Sequence, residues 1–132
     1  MRYAYGLIGV LASGAFLSSC REGTGPGLEG RWAAIGIELT VQAGTTELRL
    51  ACAAPARLTQ GLLPDSTGTI RFSTPIQPVW GASYRVGFLG RLVGDGLFAT
   101  VTRTFDAGTP VVQTYTMLRD GDPEFDRIVC AQ

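Results

Sequence analysis

The densest group of chemically capable side chains in this 132-residue sequence lies near its C-terminus, in DGDPEFD. Asp120, Asp122, Glu124 and Asp126 alternate there, and hard carboxylate oxygens are what Ca²⁺ prefers. An acidic turn with Pro123 in its interior and no flanking helix accounts for the same residues. The metal reading therefore requires the four side chains to converge. Paired carboxylates also serve general acid–base chemistry, but the acids of this chain fall in predicted turns or on solvent-facing strand positions, where their pKa values would not be split. Histidine is absent, which excludes Ser-His-Asp and Cys-His catalysis and every His-ligated metal site. No glycine-rich phosphate loop occurs in a strand–helix context. The sequence thus predicts a non-enzymatic protein that needs no cofactor.

Charge adds a second exclusion. Eleven basic residues balance eleven acids, and every base is an arginine. The arginines are spread evenly, so no basic stripe for nucleic acid is expected.

The elements that must position these residues read as strands. Apolar or β-branched runs recur at 31–41, 47–52, 69–73, 83–93, 97–105 and 110–119, with ARLTQ as a possible short strand and FDRIVC as the last run. Turn residues separate them, most clearly Ala43-Gly44, Gly94-Asp95-Gly96 and Asp106-Ala107-Gly108. Seven to eight short strands with hairpin-length connections predict an all-β antiparallel meander, as a closed or partly closed barrel or as a sandwich. Pro75 and Pro78 mark an irregular crossover after residue 73, with Trp80 expected to plug one end of the core. The aromatics Trp32, Phe72, Trp80, Tyr84, Phe88, Phe98, Phe105 and Tyr115 either fill that core or line a cavity for a small apolar ligand. A domain of about 105 residues needs most of them as filling.

The N-terminus has a different character. Met1-Arg2 precedes a largely apolar stretch to Phe16, too short as a helix, at about 21 Å, to cross a hydrocarbon core of about 30 Å. Its proportions are those of a secretory signal peptide. Leu17-Ser18-Ser19-Cys20 then resembles the lipobox of bacterial lipoproteins: an aliphatic residue, two small ones and a cysteine. The resemblance implies removal of residues 1–19, fatty acylation of Cys20 and attachment to a membrane through the acyl chains. Two or three such chains anchor stably where one does not. Arg21, where an aspartate would signal inner-membrane retention in that family, favours the outer membrane. Residues 21–27, rich in glycine, form a tether with a typical span of about 15 Å, and a single β-domain is expected from 28 to 132.

The same resemblance removes Cys20 from the thiol count and places the domain in an oxidising compartment, leaving Cys52 and Cys130 as an even pair for a disulfide. The expected function is that of an envelope protein carrying a binding or assembly module for an unknown envelope partner. The alternatives are a carrier of a small apolar ligand, or a calcium-binding or hydrolytic domain using the 120–126 acids.

Overall fold

The computed structural model describes residues 27–131; Cys20 and the lipobox lie outside the described residues. Eight strands make up the fold: β1 (Gly30–Ala34), β2 (Ile37–Gln42), β3 (Thr45–Leu50), β4 (Ala56–Leu58), β5 (Thr69–Ile76), β6 (Tyr84–Val93), β7 (Gly96–Thr104) and β8 (Val111–Arg119). They form one antiparallel sheet in the order β4-β3-β2-β1-β8-β7-β6-β5. Every consecutive pair except β4 and β5 is hydrogen-bonded, and β8 returns to β1, so the sheet curls into a nearly closed barrel. Sandwich is thereby set aside. At the remaining seam the segments flanking β4 and β5 meet through an Ala53–Pro78 bridge, with Ala54 N–H donating to Gln77 O at 2.9 Å and Val79 N–H to Cys52 O at 2.9 Å.

Period-two patterning sends one side chain in two inward. Trp32, Leu39 and Leu48 face one another across β1, β2 and β3, while Val86, Phe88, Leu97, Val101 and Met117 do the same across β6, β7 and β8. All are buried and belong to one core cluster. Phe72 stacks on Phe88 with ring centroids 4.9 Å apart. Gly90 belongs to this interior as well. A Cβ there would lie 2.8 Å from a ring carbon of Phe88 and 3.1 Å from Leu97. Gly90→Ala is therefore expected to cost about 1–3 kcal/mol by overpacking, measured as a lower urea midpoint at unchanged m-value. A neutral result would mean that the interior has slack.

The two ends of the barrel differ. One end carries the β2–β3 and β6–β7 turns, the β4–β5 connection and the point where the chain enters. Leu28 and Leu62 are buried there as caps. The Trp32 indole N–H donates to Leu28 O at 2.8 Å, and the Arg119 guanidinium covers the Trp32 ring at 4.2 Å while donating to Glu29 O and Gly27 O. In the β4–β5 connection the Asp65 carboxylate accepts hydrogen bonds from the Thr67 hydroxyl and from Thr67 and Thr69 N–H. Those bonds, the Thr67 hydroxyl foremost, hold its pKa below the usual carboxylate value.

Three strand expectations require correction. The run 31–41 is not one strand but two, because Ile35-Gly36 forms a tight turn with Gly36 at φ 85°. Such a turn needs positive φ at its second central residue, which glycine supplies. β5 extends through Pro75 to Ile76, since a strand on the open seam loses no ladder bond to a missing N–H. FDRIVC joins no strand: it holds a 3₁₀ turn at Phe125–Arg127 followed by extended chain. Trp80 does not plug the core either. It is 52% exposed in the β5–β6 connection.

Candidate functional site

After β8 the chain reverses at Asp120, whose φ is 56°, and crosses back over the outside of β1 and β2. Asp120 N–H donates to Arg31 O, Gly36 N–H donates to Pro123 O at 2.8 Å, and Cys130 is bonded to Cys52 beyond β3. This C-terminal strap packs tightly. A Cβ on Gly121 would sit 2.8 Å from Ala33 O.

Beneath the strap lies an ion triad that sequence reading placed in solvent. Glu38 points outward from β2, yet it is only 7% exposed because the strap covers it. Its two carboxylate oxygens meet Arg31 Nε at 2.5 Å and Arg49 Nη1 at 3.2 Å. Arg31 also donates to Gly121 O at 2.7 Å, and the Arg49 guanidinium lies 4.7 Å from the Phe125 ring centroid. The triad and the disulfide thus hold the strap at two points. One signal for it was legible: a two-residue turn at Ala43-Gly44 sets Glu38 opposite Arg49.

The acidic segment is used for local structure. Asp122 Oδ1 accepts the Glu124 N–H at 2.9 Å, Glu124 pairs with Arg127 at 2.8 Å, and Asp126 sits in the 3₁₀ turn. Among the described residues no group of three or more Asp, Glu, His or Cys side chains comes together as a metal site, so Asp120, Asp122, Glu124 and Asp126 do not converge. Cys52 and Cys130, in contrast, are joined.

The aromatics divide. Trp32 and Phe88 are fully buried, Phe72, Tyr84 and Tyr115 pack against the core, and Phe98, Phe105 and Trp80 are exposed. A groove of about 440 Å³ runs along the polar outer face of β2, β3 and β4 between Thr40, Gln42, Glu47, Arg57 and Thr59. Arg57 and Glu47 neutralise each other across it at 2.8 Å. A smaller groove of about 320 Å³ opens at the chain-entry end beside Leu62 and Leu63.

The remaining unusual geometry concerns β8. It pairs with β7 over residues 111–118 but with β1 only at Leu118 and Arg119. The short β1 turns away after Ala34, so among the described residues no strand pairs with 111–116 on that side. On the inner face beside this free edge, Arg103 Nη1 donates to the Gln113 side-chain oxygen, which also accepts the Tyr115 hydroxyl at 3.1 Å. Arg103 makes no ion pair with any acid among the described residues. Sequence reading missed this cluster because it depends on the mismatch in length between β1 and β8.

No protein family, curated protein or solved structure matches the chain. The site is therefore read from its own chemistry: a covered ion triad that fastens the C-terminal strap, an exposed strand edge beside a guanidinium with no ion pair, and no assembled metal-binding set among the described residues.

Proposed function

We propose that this chain is a bacterial envelope lipoprotein, anchored through an acylated Cys20, whose β-domain is a non-enzymatic binding or assembly module. The anchor rests on the resemblance of LSSC to a lipobox and on the apolar stretch before it. For the module, the observation that carries the reading is the arrangement of the barrel ends. The described chain enters at one end, seven residues after Cys20, where Arg119 and Trp32 hold Gly27 to Glu29 in place. At the opposite end Ile35, Val79, Trp80 and Val112 are each more than half exposed. An anchored domain would turn this second end away from the lipid, with the free edge of β8 beside it. Apolar side chains are exposed at both ends, and those at the end turned away from the lipid are the ones free to meet a protein. Leu63, Val93, Phe98 and Leu118, exposed at the chain-entry end, would face the headgroups.

A carrier role gains no support from the interior, where Trp32, Ile37, Leu39, Phe88, Leu97 and Met117 fill the space. Arg21 keeps the outer membrane as the favoured location.

Cys20→Ala is expected to move the protein from the membrane fraction to the soluble fraction, read by fractionation and by loss of metabolically incorporated palmitate. An unchanged distribution overturns the anchor. The module is tested by a photo-crosslinking residue at position 80 against one at position 59: specific adducts only from position 80 support it, and equal labelling from both overturns it.

A further inference from the structure

We propose that residues 111–116 of β8 accept an extended peptide segment of a partner protein as an added antiparallel or parallel strand, and that Arg103 receives a carboxylate of that segment. The inference rests on the binding-module reading and names its partner class.

Strand edges are normally blunted, because a row of unpaired N–H and C=O groups recruits further strands. The two terminal strands of this sheet are blunted. β4 has only three residues, with Arg57 at its centre, and β5 carries Pro75 and is bridged at its end through Pro78. β8 has none of these devices on its β1 side. Between Thr109 and Leu118 no residue is charged, Pro110 lies before the strand, and Val111, Val112, Thr114, Tyr115 and Thr116 all favour extended backbone. The free stretch of six residues matches an ordinary strand in length, about 5–6 residues. Residues 111–114 and 116 are exposed. A polypeptide in β conformation is the chemistry that satisfies such an edge, with main-chain bonds supplying affinity and alternate side chains supplying specificity.

Arg103 supplies the specificity. Its register partner on β8 is Val111, so its side chain lies on the inner face near the start of the free edge. One of its N–H groups is spent on Gln113, whose oxygen is held in turn by Tyr115. The other donors of the planar fork remain for a carboxylate, which they suit in geometry and charge. A second copy of this chain pairing edge to edge would bring no acid, since residues 109–118 contain none. Charge therefore favours a different polypeptide carrying Asp or Glu on the side chain that faces inward.

The test uses the full chain with its disulfide intact and capped six-residue peptides of alternating Thr and Val with Glu, Gln or Arg at one fixed position. Hydrogen exchange of the 111–116 amides and titration followed by backbone NMR report binding. The Glu peptide is expected to slow exchange at those amides and to bind about tenfold more tightly than the Gln peptide, with the Arg peptide weaker still. Arg103→Gln should abolish the preference for Glu over Gln. Val112→Lys, on the outer face where folding is not at stake, should weaken all peptides alike by placing a charge on the edge. No protection with any peptide overturns the proposal, and equal binding of the Glu and Gln peptides overturns the role of Arg103. Protection already present without peptide, together with a concentration-dependent dimer, assigns the edge to a second copy instead. Crosslinking from position 80 that persists in Val112→Lys and Arg103→Gln would leave the binding-module reading standing while removing the edge as its site.

Discussion

Replacing both Cys52 and Cys130 by serine, or reducing their bond, is expected to lower unfolding free energy by about 4–5 kcal/mol on the chain-entropy argument. The bridge joins residues 78 apart, so it restricts most of the described unfolded chain. A domain of this size loses roughly 4–8 °C of Tm per kcal/mol, so the melting temperature should fall by about 15 °C or more. Such a loss is a large share of the roughly 5–15 kcal/mol that stabilises a typical domain. The strap adds a local consequence. Without the bond at residue 130 its distal end is held only by contacts such as Arg49 on Phe125 and the Gly36–Pro123 hydrogen bond. Exchange at Gly36 and Ile128 should therefore accelerate more than exchange in β6 and β7. Urea and thermal melts of the oxidised protein and the double serine variant decide the matter. A difference below about 1 kcal/mol would mean that the unfolded chain is already compact or that the strap holds without the bond.

Glu38→Ala is expected to cost about 2 kcal/mol. Removing one partner of a buried ion pair typically costs about 3–5 kcal/mol because a charge is left uncompensated. Here the carboxylate is nearly covered, but the Arg31 and Arg49 side chains are 37% and 44% exposed, so water relieves part of that cost. Glu38→Gln keeps an acceptor for one arginine and should lose about half as much. Arg31 retains its bond to Gly121 O in either variant. Because the triad and the disulfide fasten the same strap, their effects should not add: with the cysteines already replaced, Glu38→Ala is expected to cost less. A double-mutant cycle in urea measures that coupling. Strict additivity would separate the triad from the strap, and a loss under about 0.5 kcal/mol for Glu38→Ala alone would mean the pairs are fully screened.

Much of this architecture was legible because it follows from local rules. Alternation of Tyr84, Val86 and Phe88, or of Leu97, Ala99 and Val101, can be satisfied only by a strand with one buried face, and those strands lie where the pattern puts them. Gly94 adopts φ 60° in the β6–β7 turn as a hairpin glycine should. The Cys52–Cys130 pairing came from counting, once Cys20 was assigned to lipid. The Ile35-Gly36 turn was obscured because the run from Trp32 to Leu39 is almost continuously apolar, and periodicity alone does not mark a turn within it. Trp80 was misplaced by its hydrophobicity, which says what burial would gain but not whether a connection can reach the core.

What the sequence determined by itself was the period-two burial and the turns that make neighbours antiparallel, both of which depend on residues close in the chain. What only the tertiary structure decided was closure of one sheet rather than two, the burial of Glu38 beneath a strap some 85 residues later, and the exposure of the β8 edge. The last of these depends on how far one strand runs past another, here five residues in β1 against nine in β8. Side-chain patterns set which face of a strand is wet. Relative strand lengths and the path of the terminal chain set which wet positions are covered again, and neither is encoded within any single segment.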